Sequence, residues 1–231
     1  RAFRDREPVS HHPAKMALDA SSGRTKFVVK RGGHAAPLRL DLITDHTERL
    51  RRGGLAPFPP ITSRPDGCDP LPELTDIDSA ALTQELAATI DSGTKTSDIG
   101  HQTAQLCRTL SARGPEFPSL AARLEVCEAH WETARAFARD EAAGGRLTPY
   151  FPMFSEMMRR LATRGHPERS NNERIDPDLL GALTIRTVAD RINRAVDYGR
   201  DYLFSALGWG TVCRSLLGTK TPGARERPQD M

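Results

Sequence analysis

The spacing of apolar residues changes character near residue 75. Before that point the periodic stretches are short and have a period of two. Thr25-Lys26-Phe27-Val28-Val29-Lys30 is β-prone, and Leu38-Arg39-Leu40-Asp41-Leu42 alternates strictly, the pattern of a half-buried strand. Residues Arg31 to Pro37 separate them, so the two strands read as a long-looped hairpin. Two strands alone are marginal in water and need a helix or a neighbouring chain to cover them. Asp45 to Arg52 reads as a short helical turn ending at Gly53-Gly54. Pro57, Pro59, Pro60, Pro65, Pro70 and Pro72 then fix φ and remove backbone donors, so residues 55–75 are expected to form extended linker.

Beyond residue 75 the apolar period lengthens to that of a helix. Leu82, Leu86 and Ile90 mark a helix over 77–91 that stops at Gly93. Ile99, Thr103, Leu106 and Leu110 mark a second over 98–112, with Ser97 as N-cap and Gly114 as stop. Ser119 to Ala143 has the cleanest pattern: Leu120, Leu124, Cys127, Trp131, Ala134 and Ala138 step by four and three before Gly144-Gly145. Thr148-Pro149 opens a further helix carrying Phe151, Phe154, Met157, Met158 and Leu161, ending at Gly165. Asp176-Pro177 pairs an N-cap acceptor with proline at the first helical position. From there Ile185, Val188, Ile192, Ala195, Gly199, Tyr202 and Ala206 keep helical spacing, which predicts one helix of roughly thirty residues, about 45 Å long.

The expected fold class is mainly α: an irregular helical bundle with one long C-terminal helix, preceded by an extended proline-rich region with a candidate β-hairpin. The segments are an arm and linker over 1–75, a helical domain over 76–218 and a polar tail over 219–231. Residues 77–113 and 120–164 match a helical-hairpin repeat in size, but they share no residue pattern, which favours the bundle over a solenoid.

Charge changes the picture more than composition does. The net charge of +3 is too small for a general polyanion binder, but residues 1–70 carry +5, residues 71–140 carry −5 and residues 141–231 carry +3. An acidic middle argues against a continuous nucleic-acid track and suits a chain with different neighbours at its two ends. Arginine supplies 28 of the 33 basic residues, which a GC-rich genome or a preference for interface ion pairs would each produce. The chain opens on Arg1 rather than Met, and removal of an Arg-rich, acid-poor transit peptide would leave such a start.

Candidate chemistry is sparse. Cys68, Cys107, Cys127 and Cys213 form no CxxC pair, so reduced thiols are expected. Cys127 and His130 sit three apart on one helix, which admits a metal pair but is also what a core cysteine beside a histidine looks like. His11-His12 lacks a third ligand nearby. No GxSxG, HExxH, Walker A or GxGxxG motif occurs, so no catalytic, cofactor or metal residue is assigned.

Two groups of apolar residues remain. Phe151, Phe154, Met157, Ile185, Val188 and Ile192 are candidates for a protein interface. Tyr202, Phe204, Trp209 and Arg214 combine aromatic and basic groups as a membrane interface does, although the apolar run from Tyr202 to Cys213 is 12 residues against the ~20 of a span. The functional expectation is a non-catalytic accessory subunit of a mitochondrial inner-membrane complex, such as an ATP synthase or a respiratory complex. Its partners would be other subunits, with membrane or anionic-lipid contact through 200–218. The alternatives are an RNA-associated organellar ribosomal subunit and, behind it, a small-molecule enzyme.

Overall fold

A computed structural model describes residues 25–30, 33–55, 70–141, 151–163, 176–215 and 228. The arm with His11-His12, Cys68, most of the proline linker, Gly144-Gly145 and the polar tail apart from residue 228 lie outside the described residues. Among the described residues the chain is mainly helical with one small sheet, as the long apolar period predicts. It divides into two compact units, Arg1–Glu48 with Asp78–Ile99, and Arg49–Ile77 with Gly100–Met231.

In the first unit β1 (Phe27–Val29) pairs antiparallel with β2 (Ala35–Pro37) and parallel with β3 (Thr94–Lys95), in the order β2-β1-β3. Val28 faces Ala36 on one side and Thr94 on the other. The third strand supplies support that a bare hairpin lacks. Its two residues gave no periodic signal in the sequence. Leu38 to Leu42 is not a strand: Leu38 is a buried residue after β2, and Leu40 opens α1 (Leu40–Arg51). The alternation there is short, and Leu40, Ile43, Thr47 and Leu50 continue it at helical spacing, with Thr47 and Leu50 buried.

Helix α2 (Ser79–Thr89) follows. Asp78 caps it, its Oδ1 accepting from the backbone N–H groups of Ala80 at 2.9 Å and Ala81 at 3.0 Å. The other end is closed by Lys26, whose Nζ donates to the carbonyls of Ala87 at 3.0 Å and Ile90 at 2.8 Å. A cation at a helix C-terminus meets both the unpaired carbonyls and the negative end of the dipole.

The second unit is built on α4 (Glu116–Glu141), reached through α3 (Thr96–Thr109) and a 3-10 turn at Leu110–Arg113. Residues 120–124 and 126–130 of α4 are buried without a break, so almost its whole circumference is covered. Helices α5 (Phe154–Thr163), α6 (Pro177–Thr184) and α7 (Arg186–Ala195) share a cluster of Phe137, Met157, Met158, Leu183 and Ala189. Arg160 stacks over the Phe137 ring at 4.1 Å.

The expected single C-terminal helix is replaced by α6, α7, a 3-10 turn at Tyr198–Leu203 and α8 (Ala206–Ser215). The chain leaves the helical region at Ile185 (φ −78°, ψ 110°) and again at Val196 (φ −77°, ψ 118°). β-Branched residues, Thr184-Ile185 and Val196, stand at both breaks, where restricted χ1 lowers helix propensity. Asp197 then fixes the second break by accepting the Gly199 N–H at 2.9 Å. The helical spacing across these breaks is real, but it runs through four separate elements.

Two predictions follow from this packing. Gly53 has φ +79°, and a Cβ there would stand 2.6 Å from the Leu71 carbonyl oxygen. Gly53→Ala is therefore expected to cost about 1–3 kcal/mol, read by calorimetry as a fall in Tm of about 2–4 °C per kcal/mol; an unchanged Tm contradicts it. Burial pushes the Cys107 thiol up to about 12 from 9.0. Below pH 9 its thiolate fraction is about a thousandfold lower than that of a free thiol, so iodoacetamide should label Cys213 well before Cys107. The sign follows for stability: the raised value in the folded chain stabilises fully below the unfolded pKa, and that contribution is lost as pH rises from about 9 towards 12.

Candidate functional site

The polar residues buried in the second unit meet at one place on α4. His130 lies on the apolar face of the helix and is 0% exposed. Its Nε2–H donates to Asp201 Oδ2 at 2.9 Å, and Asp201 is also 0% exposed. That arrangement leaves Nδ1 as the acceptor facing the Tyr202 hydroxyl at 3.4 Å. The 3-10 turn at Tyr198–Leu203 brings Asp201 and Tyr202 to α4, and Asp197 holds that turn by its N-terminal cap.

Aromatic rings wall the pair. The His130 ring is 5.3 Å from Phe151 and 5.3 Å from Tyr202, both edge to face, and Phe151 stands 5.1 Å from Tyr198 in the same manner. Edge-to-face rings place a positive ring edge on a negative face and add to their area burial. The result is a carboxyl–imidazole hydrogen bond sealed among aromatic rings.

An Asp that orients a His is half of a nucleophile-activating triad. Here the closure decides the chemistry. His130 and Asp201 are each 0% exposed and Tyr202 is 2% exposed, so no substrate atom reaches them. The cluster holds α4 to the turn that leads into α8. Among the described residues no group of three or more His, Cys, Asp or Glu is placed to hold a metal ion. Cys127, three residues before His130, is buried, and His130 is turned to Asp201.

The residues singled out in the sequence distribute unevenly. Phe151 and Met157 are 0% exposed, while Phe154 and Ile192 pack against the α5–α7 cluster. Val188 is half-buried, and Ile185, at the break between α6 and α7, is 55% exposed. Tyr202 and Trp209 are buried, and Phe204 lies half-buried with its ring 6.2 Å from Trp209. The side chain of Arg214 lies outside the described residues. Asp201 was missed because 71 positions separate it from His130. The available signal was a histidine inside an apolar stripe together with an acid inside an aromatic run.

No model of a known protein family matches the chain. Curated proteins do. The chain is 26% identical over 205 residues to a ribonucleoside-diphosphate reductase large subunit of Caenorhabditis elegans, covering 89% of the chain and 21% of that protein. It is 24% identical over 205 residues to a ribonucleoside-diphosphate reductase large chain 2 of Saccharomyces cerevisiae, covering 89% of the chain and 19% of that protein. It is 25% identical over 205 residues to a ribonucleoside-diphosphate reductase large subunit of Danio rerio, covering 88% of the chain and 21% of that protein. The chain thus spans about a fifth of the length of the curated relatives it matches.

These similarities overturn the functional expectation. The relatives carry the name of an enzyme, not that of an accessory subunit of an ATP synthase, a respiratory complex or an organellar ribosome. With that reading go its non-catalytic assignment, its partner subunits, its lipid contact through 200–218 and its inner-membrane location. Among the described residues no helix is long and apolar enough to cross a membrane. The physical source of the error is clear at Tyr202 and Trp209. Aromatic residues flanked by arginines mark the edge of a packed core as well as a membrane interface.

The sealed pair yields a stability prediction. His130→Ala leaves the Asp201 carboxylate buried without its imidazole partner, which should cost about 3–5 kcal/mol. Replacing both residues by apolar ones, His130→Leu with Asp201→Leu, should cost clearly less than the two single changes added together. Urea unfolding of the wild type, His130→Leu, Asp201→Leu and the double variant measures this, with His130→Ala read separately. Simple additivity would show that the pair is not a coupled unit.

Proposed function

We propose that this chain is part of the large subunit of a ribonucleoside-diphosphate reductase. The reading is carried by one observation: similarity runs along 89% of the chain to a ribonucleoside-diphosphate reductase large subunit in a worm and a large chain 2 in a yeast. Poxvirus relatives support it over the same share of the chain. Function is argued from sites rather than folds, and the buried network here supports a role in holding this part of the subunit in shape. The substrates are, by that name, ribonucleoside diphosphates, and a large subunit implies a smaller partner subunit.

The exposed Ile185 is the one interface candidate that keeps more than half of its surface, and it remains our candidate for a contact with another part of the enzyme. The test is an activity assay on the full polypeptide that carries these residues, combined with the small subunit of the same organism and a reductant. A ribonucleoside diphosphate should be converted to its 2′-deoxy product. Absence of product, where the yeast enzyme turns over in the same assay, overturns the reading.

A further inference from the structure

The chain passes between its two units at three points, after Glu48, after Ile77 and after Ile99. Two of the segments that lead into these passages, 49–54 and 70–77, belong to the second unit and meet at one side chain. Arg123, on α4, is buried, and its Nη1 donates to the carbonyls of Leu50 at 2.7 Å and Arg51 at 3.2 Å. Its Nη2 donates to the carbonyl of Pro72 at 2.7 Å. Leu50 and Arg51 end α1, where carbonyls lack the i+4 donor of the helix interior; the Leu50 carbonyl also accepts the Gly53 N–H at 3.2 Å.

The two segments are also tied to each other. The Leu74 N–H donates to the Arg51 carbonyl at 2.9 Å, and Arg51 Nη1 returns a bond to the Leu74 carbonyl at 2.7 Å. Glu116, at the start of α4, accepts the Asp76 N–H at 2.7 Å. A planar guanidinium can serve three carbonyls at once because its donors are fixed in a fork. Burial pulls the Arg123 pKa below its ordinary value, while the charge of Glu116 opposes that shift. The arrangement concentrates its energy in directional bonds, which are lost together when the fork withdraws.

We propose that Arg123 is a latch that ties to α4 both chain segments leading into the first unit, and that its release frees those segments together while the rest of the second unit stays folded. A local opening of this kind is a cooperative unit with its own free energy, below that of global unfolding. His130 follows Arg123 by seven residues, two helical turns on the same face, so latch and sealed pair share one rigid element. The inference rests on the geometry of α4 and not on the similarity to reductases.

Hydrogen exchange on the full polypeptide tests it, with Arg123→Met and Arg123→Lys. In Arg123→Met the amides of Leu74 and Asp76 should exchange at least about tenfold faster, while those of residues 129–134 and of α8 keep their rates. Arg123→Lys should fall between, because one ammonium centre cannot span three carbonyls. Unchanged rates at Leu74 and Asp76 overturn the proposal. So does equal acceleration in α4 and α8, which would make Arg123 an ordinary core residue. Should Arg123→Met fail to fold, Arg123→Lys is read by the same criterion, and global unfolding of both variants also overturns it.

Discussion

Helix α4 has to be buried on nearly all sides, and the second unit is arranged around meeting that demand. A helix covered all round needs neighbours in every direction, and apolar contact alone does not fix which neighbour sits where. Two polar side chains supply that information. Arg123 takes the carbonyls at the end of α1 and of the 70–77 segment, and His130 takes Asp201 from the turn before α8. Each is costly to bury alone and becomes tolerable only with its partners in place. Burial therefore provides the drive, and the polar pairs select one arrangement from the many that would bury the same area.

The same logic governs the first unit at smaller scale. Its sheet is three short strands, and its helix α2 is only 11 residues long. Neither is stable by itself. Lys26 joins them: it lies next to β1 in sequence and closes α2 through two carbonyls. A single long side chain thus links the sheet to the helix C-terminus that would otherwise fray.

How much of this was legible in the sequence depended on range. The helices over 77–91, 98–112 and 119–143 were readable because periodicity is local, and α2, α3 and α4 stand close to them. The stretch after Asp176 misled because its stripe continues in step through Ile185 and Val196. Periodicity counts residues and is blind to a two-residue excursion that preserves phase; Thr184, Ile185 and Asp197 carried the warning. Leu38 to Leu42 failed for a related reason, since five residues fit a strand and a helix entry alike. The buried pair was legible only as two separate oddities, a histidine in an apolar stripe and an acid in an aromatic run, because nothing local says that His130 will meet Asp201.

The functional error had a different origin. Proline-rich stretches, zoned charge and an aromatic run flanked by arginines suit a subunit docked on its neighbours. Yet Leu120, Leu124, Phe151, Met157, Leu183 and Tyr202 are closed off almost completely within the chain. Composition averages that interior with the proline- and charge-rich remainder, so the mean falls although Leu120, Leu124 and Val126 of α4 are fully buried. A segment of a large enzyme and a subunit of a large assembly look alike in such an average. What separates them here is similarity extended along the chain, together with the buried Arg123 and His130, whose partners lie within the chain. That combination supports the proposal of a segment of a larger enzyme, folded on an interior of its own.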